Sequence, residues 1–174
     1  MTRRPSPTVL MVGVVVLAAI LSSCGFRAQS ADVATSTIFT VGDCVQIPSA
    51  TPEAPARAAK SACTADPSYT VGATADANGN CPSNEYQHLS TQLAEPGTAR
   101  LCLVPNLVAQ HCYTMEMPIG VVQKADCAER GSELIVQITQ RLDVRDQSAC
   151  PAVAGSYAWP YPAPARTYCT QTLF

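Results

Sequence analysis

The residues of this chain with the means to do chemistry are nine cysteines, two histidines and 13 carboxylates, spread over 174 positions. Their spacing argues against the usual catalytic arrangements. No Cys-x-x-Cys pair occurs, the spacing on which thiol redox centres and zinc sites are commonly built. A zinc site would have to recruit His88 and His111, and these lie at unrelated positions, His111 directly before Cys112. Both histidines read as polar surface residues. Gly-x-Ser-x-Gly, His-Glu-x-x-His and a Gly-rich phosphate loop are all missing from the sequence. Asp43 and Asp126 each lie close to a Cys and read as turn or cap residues, because neither has a second acid at a spacing useful for acid–base work. No catalytic residue, metal or cofactor is therefore expected. The formal charge of −2 gives no basic footprint, so nucleic acid is not an expected partner.

Cys24 stands apart from the other eight. Arg3 and Arg4 precede an apolar stretch from Val9 to Leu21. Thirteen residues at ~1.5 Å rise span about 20 Å as a helix, short of the ~30 Å hydrocarbon core. A signal peptide over residues 1–23 fits this pattern better than a permanent span. Leu21-Ser22-Ser23-Cys24 then resembles the bacterial lipobox. Small residues before the Cys give a peptidase access to the bond, and the thiol takes a diacylglyceryl group. Two or three acyl chains on Cys24 satisfy the two-signal requirement for stable anchoring. Residues 24–39, lipidated Cys included, read as a flexible tether of small and polar residues.

Export to an oxidising compartment makes the other cysteines disulfide candidates. Cys44, Cys63, Cys81, Cys102, Cys112, Cys127, Cys150 and Cys169 fall into two sets of four in the same order. Lys60-Ser61-Ala62-Cys63 matches Lys124-Ala125-Asp126-Cys127, and in that frame Ser68 meets Ser132 and Val71 meets Ile135. Cys81-Pro82 matches Cys150-Pro151, Cys44 matches Cys112, and the residues before Cys102 resemble those before Cys169 with a one-residue shift. This is an internal repeat, with copies expected over residues 40–106 and 107–174. A single domain with pseudo-twofold symmetry is the alternative. The repeat suggests the pairing Cys44–Cys63, Cys81–Cys102, Cys112–Cys127 and Cys150–Cys169.

The elements that must position these residues are short. Ile38–Val41 and Cys44–Ile47 read as a strand pair or one bent strand, followed by strands at 57–63 and Ser68–Ala73. Asn78-Gly79 is a turn signal, Pro82 suits a helix start, and Ser83–Leu93, carrying Glu85 near its N-terminus and His88, reads as a helix. Ala99–Val104 closes the first copy. Tyr113–Met117, Val121–Lys124, Glu133–Thr139 and Thr167–Thr172 read as the matching strands; Met115 and Met117 flanking Glu116 suit a half-buried strand, not a cofactor site. The expected fold class is α+β: two tandem disulfide-stapled repeats, each a small, mostly antiparallel sheet with one short helix in the order β-β-β-α-β. Ser156–Tyr168 holds the single Trp, three of the six Tyr and three Pro. Tyr157, Trp159 and Tyr161 are the candidate partner surface, since aromatics held by proline make rigid contacts. Otherwise they roof a thin core.

Val41-Gly42-Asp43-Cys44-Val45, the Lys60–Cys63 strand end and the Cys81-Pro82 step resemble actinobacterial (mycobacterial) LppU-like lipoproteins and the related septum-formation-type extracellular domains. The resemblance runs over residues 21–172 and is specific at the lipobox and at 41–45. The family often carries a His-Glu or His-Asp pair soon after the second Cys, where this chain has Asp66-Pro67-Ser68-Tyr69. What the resemblance implies is a membrane-anchored envelope protein with no assigned activity. The expected function is a non-catalytic binding or interaction module on the extracytoplasmic face of the cell membrane, held there by lipid and meeting a protein or envelope ligand. An envelope enzyme acting on peptidoglycan or peptide is the alternative. A pocket placing His88 or His111 beside two acids would favour the enzyme; a shallow aromatic patch around Trp159 would favour the binder. Changing Cys24 to Ala should abolish incorporation of labelled palmitate into the protein. Incorporation equal to that of the parent would contradict lipidation at Cys24.

Overall fold

The computed structural model describes residues 38–48, 54–116, 121–129 and 134–173. The expected signal peptide, Cys24, most of the 24–39 tether, Met117 and Glu133 lie outside the described residues. The end of the tether does not stand free: Phe39 packs against the first core, while Ile38 beside it is exposed.

Among the described residues, nine strands form two antiparallel sheets. The first contains β1 (Cys44–Gln46), β2 (Ala59–Lys60), β3 (Ser68–Thr74) and β4 (Leu101–Asn106), in the order β2-β1-β3-β4. The second contains β5 (Cys112–Glu116), β6 (Val121–Ala125), β7 (Ile135–Leu142), β8 (Ser156–Pro162) and β9 (Ala165–Leu173), in the order β6-β5-β7-β9-β8. The α+β expectation is corrected to an all-β architecture, because no α-helix occurs among the described residues; the helical turns are two short 3-10 segments, Thr98–Arg100 and Gln147–Ala149. Residues 83–93 are irregular. Gln87 exchanges both backbone hydrogen bonds with Leu103 of β4, at 2.9 and 2.8 Å. An isolated helix of that length is marginal in water, so the bridge, the Cys81–Cys102 bond and burial of Tyr86 and Leu89 decide the path instead. In the second half Ser156–Pro162 is a strand. Its prolines and aromatics disfavour a helix interior. Residues 38–41 are likewise a turn and its approach rather than a strand.

The duplication is visible in the ladder registers. Cys44 pairs with Thr70 and Val45 with Lys60, as Cys112 pairs with Gln137 and Tyr113 with Lys124. Both halves break register at the same place, between Val71 and Ala73 against β4 and between Ile138 and Gln140 against β9. Cys102 then faces Ala73, and Cys169 faces Gln140. The turn before the first Cys is also shared. Gly42 (φ 94°) and Gln110 (φ 68°) both adopt left-handed backbone there, and each donates its N–H to the carbonyl of the matched residue, Val71 or Ile138. Val71 therefore corresponds to Ile138, not to Ile135 as the sequence frame had it. The loop after Cys127 is longer than the loop after Cys63, and the extra residues displace the frame. Among the described residues, β8 has no strand counterpart in the first half.

Disulfides join Cys44 to Cys63, Cys81 to Cys102, Cys112 to Cys127 and Cys150 to Cys169, with sequence separations of 19, 21, 15 and 19. These are the pairs that the repeat suggests. Closing loops of this size is worth about 3 kcal/mol each in the chain-entropy account. Four bridges are compatible with an extracytoplasmic location.

The described residues belong to one compact unit. All six residues of β4 are buried. Leu101 and Leu103 enter one core with Val45, Tyr69 and Val71, while Cys102 and Val104 enter a second core with Tyr113, Ile138, Tyr161 and Tyr168. Neighbouring Val121 and Val122 divide between the two cores in the same way. The hairpin joining β8 to β9 docks on β3 at Gly72. A Cβ there would lie 2.0 Å from the Ala163 carbonyl oxygen and 2.5 Å from the Tyr86 ring. Gly72→Ala should therefore lower the unfolding free energy, read from urea titration, by about 1–3 kcal/mol. Gly97→Ala, which meets open space at negative φ, should stay within about 0.5 kcal/mol of the parent. Equal stability of the two variants would contradict this docking.

Candidate functional site

A cleft of about 500 Å³ opens where the two halves meet. One wall is the irregular segment Asn84–Leu89, held on β4 by the Gln87–Leu103 bridge. The opposite wall is the middle of β8, from Ala158 to Tyr161. Ile47, Tyr69, Leu103, Met115 and Val121 contribute to the lining. The size is that of a small-molecule site, and the lining mixes aromatic and aliphatic groups with a few polar side chains.

The three predicted aromatics divide by depth. They share one face of β8, two residues apart. Tyr161 is core: it is 5% exposed and meets Tyr168 edge to face, with centroids 6.1 Å apart at 74°. Burial pushes its phenol far above the ordinary range. Trp159 is half-buried against the same core and lines the cleft. Tyr157, 62% exposed, lies outside the lining. The proposed partner surface is thus corrected in part, because Tyr161 is a roof of the second core as well as a wall of the cleft.

Polar groups of the cleft are already oriented. His88 Nε2 lies 2.8 Å from the Ala99 carbonyl. A carbonyl only accepts, so this nitrogen carries the proton and Nδ1 is left as an acceptor when the ring is neutral. Glu85 receives two bonds from Arg145 of the other half, Nε at 2.8 Å and Nη2 at 3.0 Å. His88 is therefore accompanied in the cleft by one carboxylate, and that carboxylate is engaged by a guanidinium.

His111 is placed elsewhere, in a cluster that sequence reasoning missed. Asp66 Oδ2 accepts from His111 Nδ1 at 2.7 Å and from Lys124 Nζ at 2.9 Å, and its other oxygen accepts from the Tyr113 hydroxyl. The Tyr113 hydroxyl also accepts from the Val108 N–H at 2.9 Å. Burial raises the Asp66 pKa, but the bonds from Tyr113, Lys124 and His111 outweigh it and hold the carboxyl below its usual range. Burial, then the bond to Asp66, pushes the Tyr113 phenol far above its usual range, so this hydroxyl is no base near neutral pH. The cluster clasps the first half to the second. The signal was present in the repeat: Asp43 pairs with Lys60 at 3.1 Å in the first half, and His111 occupies the matched position beside Lys124. Replacing an acid by a base there calls for a carboxylate from outside the repeat.

A second buried link surrounds Arg166, 7% exposed. Its Nη1 donates to the Pro105 carbonyl at 2.9 Å, to Asn106 Oδ1 at 2.7 Å and to the Tyr168 hydroxyl at 3.2 Å. Asp43 and Asp126 serve local turns, accepting from the N–H groups of Thr40 and Ala128, both at 2.8 Å. Among the described residues, no group of three or more His, Cys, Asp or Glu is placed to hold a metal ion, and no helix is long and apolar enough to cross a membrane. No family model matches the chain, and neither a curated protein nor a solved structure matches it.

Because the folded Asp66 pKa lies below the unfolded value of about 3.9, its contribution is complete above that value and is lost as pH falls through the folded pKa. Asp66→Asn should lose about 1–3 kcal/mol at pH 7, and the deficit should shrink towards pH 3 in urea titrations. A deficit that is constant with pH would contradict the ionised clasp.

Proposed function

We propose that the chain is a lipid-anchored extracytoplasmic binding module that takes its ligand in the cleft beside Trp159. The observation that carries this reading is the cleft itself, a preformed concavity at the seam of the two halves with a half-buried Trp as one wall. Four disulfides fix the strands on either side, so the ligand meets a surface that is already ordered, which lowers the entropy cost of binding. Cys24 and the residues after it hold the module at the membrane, in keeping with the resemblance to LppU-like envelope lipoproteins. An envelope enzyme would gain support from a histidine between two free acids. His88 has one engaged carboxylate near it, and His111 bonds to Asp66 outside the cleft lining.

Immobilised full-length protein should retain a component of solubilised envelope material that the Trp159→Ala variant releases. The Tyr157→Ala variant, altered outside the cleft, should retain it. Both variants should keep four bridges and the parent circular dichroism. Equal retention by Trp159→Ala and the parent would overturn the cleft as the ligand site.

A further inference from the structure

We propose that the cleft is built for an uncharged, hydroxyl-rich ligand, a short run of neutral glycan stacked on Trp159. This rests on the cleft being the binding site and names the chemistry of its occupant.

Three observations lead to it. The first is charge. Among the described residues, Glu85 is the sole acid in the lining and is neutralised by Arg145 at 2.8 Å, and no Lys or Arg lines the cleft. A charged ligand would give up water without gaining a counter-ion, at a cost of several kcal/mol in a partly buried site. The second is the distribution of polar groups. Asn84, Gln87 and His88 reach the lining from the irregular segment, and the aromatic groups of Trp159 and Tyr161 reach it from one face of β8. A sugar ring has this division: an apolar C–H face to lie on the electron-rich indole and a rim of hydroxyls to meet amides and an imidazole.

The third is the free edge of β8. It ends its sheet, so one side of its backbone has no partner strand among the described residues. The Thr172 N–H donates to the Gly155 carbonyl at 3.0 Å, in line with the β8–β9 register. Odd-numbered residues of β8 therefore face β9, and Ser156, Ala158, Pro160 and Pro162 face outwards. Pro160 and Pro162 have no N–H, and the Ser156 N–H is given to the Val153 carbonyl at 3.1 Å. The edge is poor in donors and rich in carbonyl acceptors, which blocks addition of a peptide as a further strand. A ligand that supplies many donors suits such an edge, and hydroxyls do so.

Trp159 is the single Trp of the chain, so its emission reports on the cleft alone. Full-length protein in detergent micelles would be titrated with chitotetraose, then with other neutral oligosaccharides, a proline-rich peptide and the apolar dye ANS. The expected result is a saturable shift of Trp159 emission with at least one oligosaccharide. Asn84→Ala and His88→Ala, each with unchanged circular dichroism, should weaken it about tenfold. Saturation by ANS or by the peptide with no response to any oligosaccharide would overturn the glycan inference and leave the cleft standing as a binding site. Silence towards every probe, with Trp159→Ala retaining envelope material like the parent, would remove the cleft reading as well. An oligosaccharide response that survives Asn84→Ala and His88→Ala unchanged would also overturn the proposal, because the polar wall would then take no part.

Discussion

A strand with no solvent face has to be covered twice, and β4 is such a strand. Leu103 and Val104 are both fully buried although their side chains leave opposite faces. The first half covers one of those faces with β1, β3 and the segment around Leu89. To the other face it contributes little more than Ala75, Tyr86 and the Cys81–Cys102 bridge among the described residues, which leaves that face incomplete. The second half supplies that cover through Tyr113, Ile138, Tyr161 and Tyr168. Each fully buried aliphatic side chain is worth roughly 1.5–3 kcal/mol, so a first half standing alone would expose a continuous apolar strand. Duplication here produced two units that complete each other's core.

The cleft follows from that arrangement. The Asn84–Leu89 wall lies on β4 and the Trp159 wall lies on β8, so both walls depend on the seam. Polar links fix the seam at separate points: Glu85 with Arg145, Asp66 with His111, Lys124 and Tyr113, and Arg166 with the carbonyl of Pro105. The Tyr69 hydroxyl adds another by accepting from the Val122 N–H at 2.8 Å. Links of this kind favour one geometry over alternatives by leaving polar groups unpaired whenever the halves shift. The same links put the two histidines to different uses. His88 is oriented by a backbone carbonyl at the cleft, and His111 is committed to the clasp.

Much of this was legible in the sequence, for definite reasons. Four Cys in one order, twice over, confined each bridge to one copy, and the expected hairpin between the first two strands paired the first two Cys and left the last two for each other. β-Branched runs such as Ile135-Val136 and Val121-Val122 marked strands. The helix at 83–93 was misread because Pro82, Glu85 and the spacing of Tyr86 and Leu89 satisfy helix rules, while the competing backbone partner, Leu103, lies sixteen residues beyond Gln87 in the chain. The repeat frame slipped after Cys127 because a change in loop length leaves no mark on the residues that flank it. Trp159 was legible as a candidate contact aromatic or core roof, but the other wall of the cleft was not, since Asn84 and His88 reach the cleft only through that same bridge. Asp66 stands where the resembled family often has a His-containing pair, but its partners His111, Tyr113 and Lys124 lie 45 or more residues away in the chain and at no spacing that marks them as a cluster.

The central claim is that the two halves form one folding unit because β4 needs both. Native-state hydrogen exchange on the oxidised full-length protein tests it most directly. The amides of Cys102–Val104 and those of Ile138 and Tyr168 should open with a single free energy, equal to that of global unfolding. Exchange of the β4 amides at a distinctly lower free energy, with Ile138 and Tyr168 still protected, would show that the first half opens alone and would contradict the claim.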